Sequence, residues 1–144
     1  MIKIQNKHID IPIIQGGMGV GVSLSSLAGH VAKCGGMGVI SAAHPGYKDK
    51  DFRKDPIKAN KKALIEHIKK AKEIAMNKGM IAVNLMVAGK HYDEYVDAAI
   101  EGGCDAIISG AGLPLDLPKF ANDRTLLAPI VSSGKAIKLI LSVW

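Results

Sequence analysis

Short apolar runs and amphipathic helical patterns take turns along this chain, and that alternation restricts its fold more than any other feature. The runs span residues 11–15, 38–41, 80–85, 106–109 and 128–132. They lack the polar alternation of a half-exposed strand, so each is expected to be a strand buried on both faces. Between the first two, Leu24, Leu27, Ala28, Val31 and Ala32 share one helical face, with Ser23 as the expected N-cap and Gly35 as the stop. A second helix carries Ile57, Leu64, Ile68, Ala71 and Ala75, opened by Asp55-Pro56 and closed near Gly79. A third is expected over 92–101 before Gly102-Gly103, and a fourth from about Gly134, with Ile137, Leu139, Ile140 and Leu141.

The stretch GGMGVISAA at 35–43 is echoed by GGCDAIISGA at 102–111, each a helix stop, a short turn and a buried strand. A repeated β-α unit of this kind predicts a parallel sheet with right-handed crossovers. Both a doubly wound sheet and a (β/α)8 barrel satisfy that order. The glycines bear on the choice. IIQGGMGVGVS, residues 13–23, lacks the third glycine of the dinucleotide-binding G-x-G-x-x-G pattern. Small and polar residues instead follow every strand: Gly16-Gly17-Met18-Gly19, Ser41-Ala42-Ala43-His44, Asn84, Ser109-Gly110 and Ser132-Ser133-Gly134-Lys135. In a barrel those ends form one rim, where sites are built, so a barrel fits better.

Charge narrows the partners. The net charge of +6 resides wholly in residues 48–80, where eleven basic residues face five acidic ones. Lys58, Lys61, Lys62, Lys69 and Lys72 fall mostly off the apolar face, which reads as a solvated helix surface. No aromatic residues interleave with them, so nucleic acid is not an expected partner. No apolar run approaches the ~20 residues of a membrane span. The opening MIKIQNKHIDIPII does not read as a signal peptide, and Cys34 and Cys104 form no disulfide framework or metal spacing. A cytoplasmic location without a metal is therefore expected.

PIIQGGMGVGVS, GGMGVISAAHPGY, IAVNLMVA, DAIISGAGLPLDLP and PIVSSGKAIKLI, in this order, resemble the nitronate monooxygenase family, formerly the 2-nitropropane dioxygenases. The FMN-dependent enoyl-[acyl-carrier-protein] reductases are part of the same superfamily. The resemblance covers essentially all of residues 1–144 and implies a (β/α)8 TIM-type barrel, of which these are the first five β-α units. It implies FMN at the rim. Gly17, Met18 and Gly19 would then lie against the flavin ring, Asn84 would hydrogen-bond it, Gly110 would keep the fourth strand's end clear of it, and Lys135 would place a cation near its pyrimidine end.

The implied reaction is oxidation of an alkyl nitronate by O2, giving a carbonyl compound and nitrite. An enoyl reductase or a non-catalytic half-barrel are the alternatives. The family's phosphate-binding glycine loops and its histidine, in an Ala-Gly-Gly-His type motif, are expected beyond Trp144, so no catalytic residue is assigned within the chain. A part of a barrel has unpaired strand edges, so a homo-oligomer or a complementary C-terminal half is expected as partner. His44 reads as a loop histidine, His30 and His67 as surface residues, Ser109 and Ser132 equally as partners of strand-end backbone groups or as ligand contacts, and both cysteines as packed thiols away from the rim.

Overall fold

In the computed structural model, which describes residues Met1–Trp144, four apolar runs pair into one parallel sheet. An antiparallel hairpin comes first, β1 (Ile2–Ile4) and β2 (Lys7–Ile9). Then follow α1 (Ser25–Lys33), β3 (Met37–Ser41), α2 (Pro56–Ala75), β4 (Met80–Met86), α3 (Tyr92–Gly102), β5 (Ala106–Gly110), a 3-10 turn over Leu117–Phe120, β6 (Leu126–Pro129) and α4 (Gly134–Leu141). The sheet runs β3-β4-β5-β6 with no crossover in order. No helix is long and apolar enough to cross a membrane.

Two strands differ from expectation. The segment 11–15 touches β3 through a single parallel bridge, Ile14 to Met37. Pro12 has no N–H to give, and the Gln15 side chain continues the ladder, its Oε1 accepting the Val39 amide at 2.9 Å. The last strand lies at 126–129 rather than 128–132. The Asn122 carboxamide accepts the Arg124 and Thr125 amides, turning the chain early, and Pro129 ends the run.

Alternation along the strands sorts their side chains into two layers. Ile40, Ile81, Val83, Leu85 and Ile107 face the helices and pack with Ala28, Leu64, Ile68, Val96 and Ala99. Met37, Val39, Met80, Ala82, Ala106 and Leu126 face the other way, and Ile9 of the hairpin joins them. At its upper end this inner face is open: Ile14 is 56%, Met86 53% and Ile130 53% exposed. Helix α1 sits close on β3 because Gly38 has no side chain, and a Cβ there would collide with the Ala28 backbone.

The helix ends follow their sequence signals in most places. Asp55 caps α2, its carboxylate accepting the Lys58 amide at 3.0 Å, with Pro56 next in line. Ser133 caps α4 through the Ala136 amide. Ser23 does not cap α1: the N-cap is Leu24, with no side-chain bond, and the Ser23 hydroxyl is committed to the preceding loop. Lys58, Lys62 and Lys69 of α2 are exposed, whereas Lys61 pairs with Glu94 and Lys72 with Asp105. His67 is no surface residue. It is half-buried, its Nδ1 is 3.0 Å from the Ser25 hydroxyl, and burial lowers its pKa. Cys34 is exposed, contrary to expectation, while Cys104 is buried and its thiol is pushed up to about 12 by that burial.

Asp105, just before β5, joins four elements. Its carboxylate takes Lys7 of the hairpin at 2.8 Å, Lys72 of α2 at 3.1 Å and the Ile81 amide of β4 at 2.9 Å. Burial opposes its ionisation, but the Ile81 amide and the two lysines outweigh it and hold the carboxyl below its usual range. Such a group contributes stability above its unfolded pKa, about 3.9, and loses it as pH falls through the folded value. Asp105→Asn is therefore expected to lose about 1–3 kcal/mol at neutral pH, and less as the acid limit is approached. Urea denaturation at neutral pH and then stepwise into acid checks both the sign and the window.

Candidate functional site

The loop from Gly16 to Gly21 lies over the upper ends of β3 and β4, and Ser23 fixes it there. The Ser23 hydroxyl accepts the Met18 amide at 2.9 Å and the Gln15 carboxamide at 3.0 Å, and donates to the Gly16 carbonyl at 3.2 Å. Ser23 is completely buried. Two of the loop's glycines are required by crowding. A Cβ on Gly17 would come 2.7 Å from the Asn84 Cβ, and one on Gly19 would come 2.6 Å from the Ala43 Cβ. Gly16 is different, because nothing lies within 4 Å of where its Cβ would be and its φ is not in the left-handed region.

Asn84 is on the inner face of β4, in register with Ser41 of β3 and Ile108 of β5. Its Nδ2 donates to the Ile108 carbonyl at 3.2 Å, and its Oδ1 has no protein partner. Beside it opens a cavity of about 490 Å³, bounded on one side by Gly17, Gly19 and Asn84 and on the other by the first turns of α2 and α3. That volume lies in the range of small-molecule sites.

Asn60, Tyr92 and Tyr95 form much of the far wall. Asn60 is buried, accepting the Gly46 amide at 2.9 Å and donating to the Tyr95 hydroxyl at 3.0 Å. The Tyr92 hydroxyl lies 2.7 Å from the Ser109 hydroxyl, so Ser109 meets a side chain rather than a strand-end backbone group. Burial raises the Tyr92 pKa and keeps its phenol protonated. Exposed His44 borders the cavity, its ring edge-on to Phe52 at 5.8 Å. Lys90 and His91 also border it, and His91 is committed to Glu94 at 2.8 Å.

Three of the six residues expected to meet a cofactor thus come together: Gly17, Gly19 and Asn84. Met18 is 60% exposed and stands outside the cavity wall. Gly110 ends β5, and its missing side chain makes room for Ile130, whose Cδ1 would lie 2.9 Å from a Cβ there. Lys135 is exposed in the first turn of α4, away from the cavity lining. Asn60, Tyr92 and Tyr95 escaped the reading of the sequence. Asn60 left a signal, since it falls three residues after Ile57 and four before Leu64 on the apolar stripe of α2. A lone amide in such a stripe needs partners. No group of three His, Cys, Asp or Glu side chains comes together to hold a metal. The cavity can bind and orient a ligand, but its walls contain no carboxylate to move a proton.

A model of the nitronate monooxygenase family matches residues 1–144. The chain belongs to that family. Among solved structures, FabK from Thermotoga maritima is similar to this nitronate monooxygenase family chain with a TM-score of 0.71 and 23% identity, covering 94% of this chain and 38% of that one. A point variant of the same FabK gives 0.69 and 23%, covering 94% and 40%. The likeness is one of fold: those proteins are TIM barrels, and this chain forms a portion of one. The chain therefore spans well under half the length of these solved relatives. No curated relative matches it in sequence.

The crowding under the loop is testable without any ligand. Gly19→Ala is expected to destabilise by about 1–3 kcal/mol through overpacking. Adding Ala43→Gly should recover at least half of that loss, because the two positions meet directly. Urea denaturation of the two single variants and the double variant measures the coupling.

Proposed function

We propose that the protein is a flavin-dependent oxidoreductase that oxidises alkyl nitronates with O2, with residues 1–144 as the N-terminal part of a single FMN-binding barrel. What carries this reading is the Asn84 amide: Nδ2 is spent on the Ile108 carbonyl, and the free Oδ1 stands beside a loop of bare glycine backbone. An acceptor at that place suits an N–H on the edge of a flat ring. Gly16 supports it as well, since neither crowding nor left-handed backbone explains a glycine there, and a side chain would occupy open space at the rim. Full family coverage points the same way.

In this reading FMN, when bound, supplies the electron transfer between nitronate and O2. The chain's own part is to bind and orient. Gly17 and Gly19 let the loop backbone approach the ring, Met18 offers its exposed thioether as an apolar contact, and Asn84 accepts an N–H. Gly110, with Ile130 packed against it, puts no side chain of its own at the end of β5. Lys135 supplies positive charge toward the pyrimidine end, which favours the anionic reduced cofactor. Proton removal is assigned to none of these residues. The open inner face, with Ile14 and Ile130 more than half exposed, is closed by further β-α units, as a complementary C-terminal half or through a homo-oligomer. Two unpaired thiols suit a reducing cytoplasm.

The second reading is an enoyl-[acyl-carrier-protein] reductase. It is favoured by the exposed Lys58, Lys62 and Lys69 on α2, which would steer an acidic carrier protein. Stopped-flow reduction of the full-length protein separates the two. Bleaching of the flavin by nitronate without a nicotinamide is expected, and rapid bleaching by NAD(P)H would favour the reductase. In the same protein, Asn84→Ala removes one hydrogen bond of about 0.5–1.5 kcal/mol. A several-fold weaker retention of FMN is expected, read from flavin absorbance after extensive dialysis. Unchanged flavin content would remove Asn84 from the site.

A further inference from the structure

We propose that Tyr92 and Tyr95 form a paired phenol clamp that binds the two oxygens of the nitronate head, with Ser109 and Asn60 as the positioning residues that turn both phenol protons into the cavity. This rests on the flavin-site reading above, in which the ring lies against the Gly17, Gly19 and Asn84 wall and the tyrosines stand on the far one.

The argument is a count of protons. Asn60 is buried, and its amide can point only one way. Its Oδ1 accepts the Gly46 amide at 2.9 Å, so Nδ2 faces Tyr95 and donates to the hydroxyl at 3.0 Å. The Tyr95 oxygen is thereby an acceptor, and its own proton meets no protein acceptor. Tyr92 and Ser109 share one hydrogen bond between two hydroxyls 2.7 Å apart. Ser109 is completely buried and its hydroxyl has no other partner. A proton left over on Ser109 would be stranded away from water, so Ser109 donates and the Tyr92 proton is the one to spare. Burial raises the Tyr92 pKa, so the phenol keeps that proton at neutral pH.

The two tyrosines are three residues apart on α3, which puts them on one face of the helix. Both line the cavity, and no Asp or Glu does. The first turn of α3 adds amide donors on the same side, because no side chain caps it. The carboxylates of that turn are engaged elsewhere, Asp93 with Lys119 and Glu94 with Lys61 and His91. Exposed Lys90 brings positive charge to the opening. The far wall therefore offers protons and presents no carboxylate to receive one, the reverse of the Asn84 Oδ1 wall. A group that fits it carries acceptor oxygens and negative charge and has no proton to give. In the proposed reaction that group is the nitronate head, whose charge is spread over two oxygens.

The test uses the full-length, flavin-loaded protein with ethyl nitronate as substrate and freshly dissolved nitroethane, its neutral conjugate acid, as competitor. A hydrogen bond to a charged group is stronger than one to a neutral group, so each phenol should matter more to the anion. Tyr92→Phe and Tyr95→Phe should each raise KM for the nitronate by about tenfold or more, and weaken inhibition by nitroethane by a factor of only about two to five. General damage to the fold would weaken both ligands alike and leave their ratio alone. An unchanged ratio in either variant, with flavin absorbance retained, overturns the clamp.

Calorimetric titration with sodium nitrate, a planar oxyanion, separates this idea from the nitronate reading, because it needs no turnover. If nitronates are not oxidised, that reading falls and nitrate decides the clamp by itself. Nitrate binding that weakens about tenfold in Tyr95→Phe upholds the clamp, and binding that is absent or unchanged overturns it.

Discussion

Everything at the upper rim depends on a register set at the opposite end of the sheet. Asp105 and Ile81 bond twice, once through the Asp105 carboxylate and the Ile81 amide, and once through the Asp105 amide and the Ile81 carbonyl. That double bond starts the β4–β5 pairing at Ala82 and Ala106. Three residues on, it puts Asn84 beside Ile108, whose carbonyl captures Nδ2. A slip of one residue would turn Asn84 toward the helices and Val83 or Leu85 toward the rim. An amide in the outer layer would then sit among Leu64, Ile68 and Val96. The lysines at Asp105 reinforce the arrangement, since the same carboxylate that fixes the register also anchors the hairpin and α2.

The parts of the fold legible in the sequence are those governed by local periodicity. β4 and β5 appear where continuous apolar runs predict them, and α2 opens at Asp55-Pro56 because a carboxylate followed by proline leaves little else for the chain to do there. The hairpin over Ile2–Ile9 was not legible. Its residues are mostly exposed and carry no turn glycine; its place comes from Ile9 entering the inner layer and Lys7 reaching Asp105. Ser23 shows the same limit from the other side. A serine before an apolar helix looks like a cap, but the Met18 amide and the Gly16 carbonyl claim its hydroxyl first. Local chemistry names the residue, and tertiary contact chooses its partner.

The site was legible in proportion to how much of it is backbone geometry. Glycines after a strand, and Asn84 at a strand end, mark the rim from sequence alone. The far wall is made of side chains brought together from α2 and α3, and spacing along the chain carries little trace of that meeting. Lys135 and Gly110 both follow strands, yet neither lines the cavity, and the neighbour against Gly110 is Ile130.

The glycine cluster therefore has more than one cause. At Gly17 and Gly19 the missing Cβ atoms let the loop rest on Asn84 and Ala43, which is a packing requirement that would hold in a protein with no ligand at all. At Gly21 the backbone is left-handed and the space belongs to the Tyr47 hydroxyl. Only at Gly16 do crowding and conformation both fail as reasons. A glycine there keeps the rim clear of a side chain, which suits the proposed ring lying against it. A glycine-rich loop thus signals a ligand residue by residue: the informative glycine is the one whose absent side chain would have met nothing of its own protein.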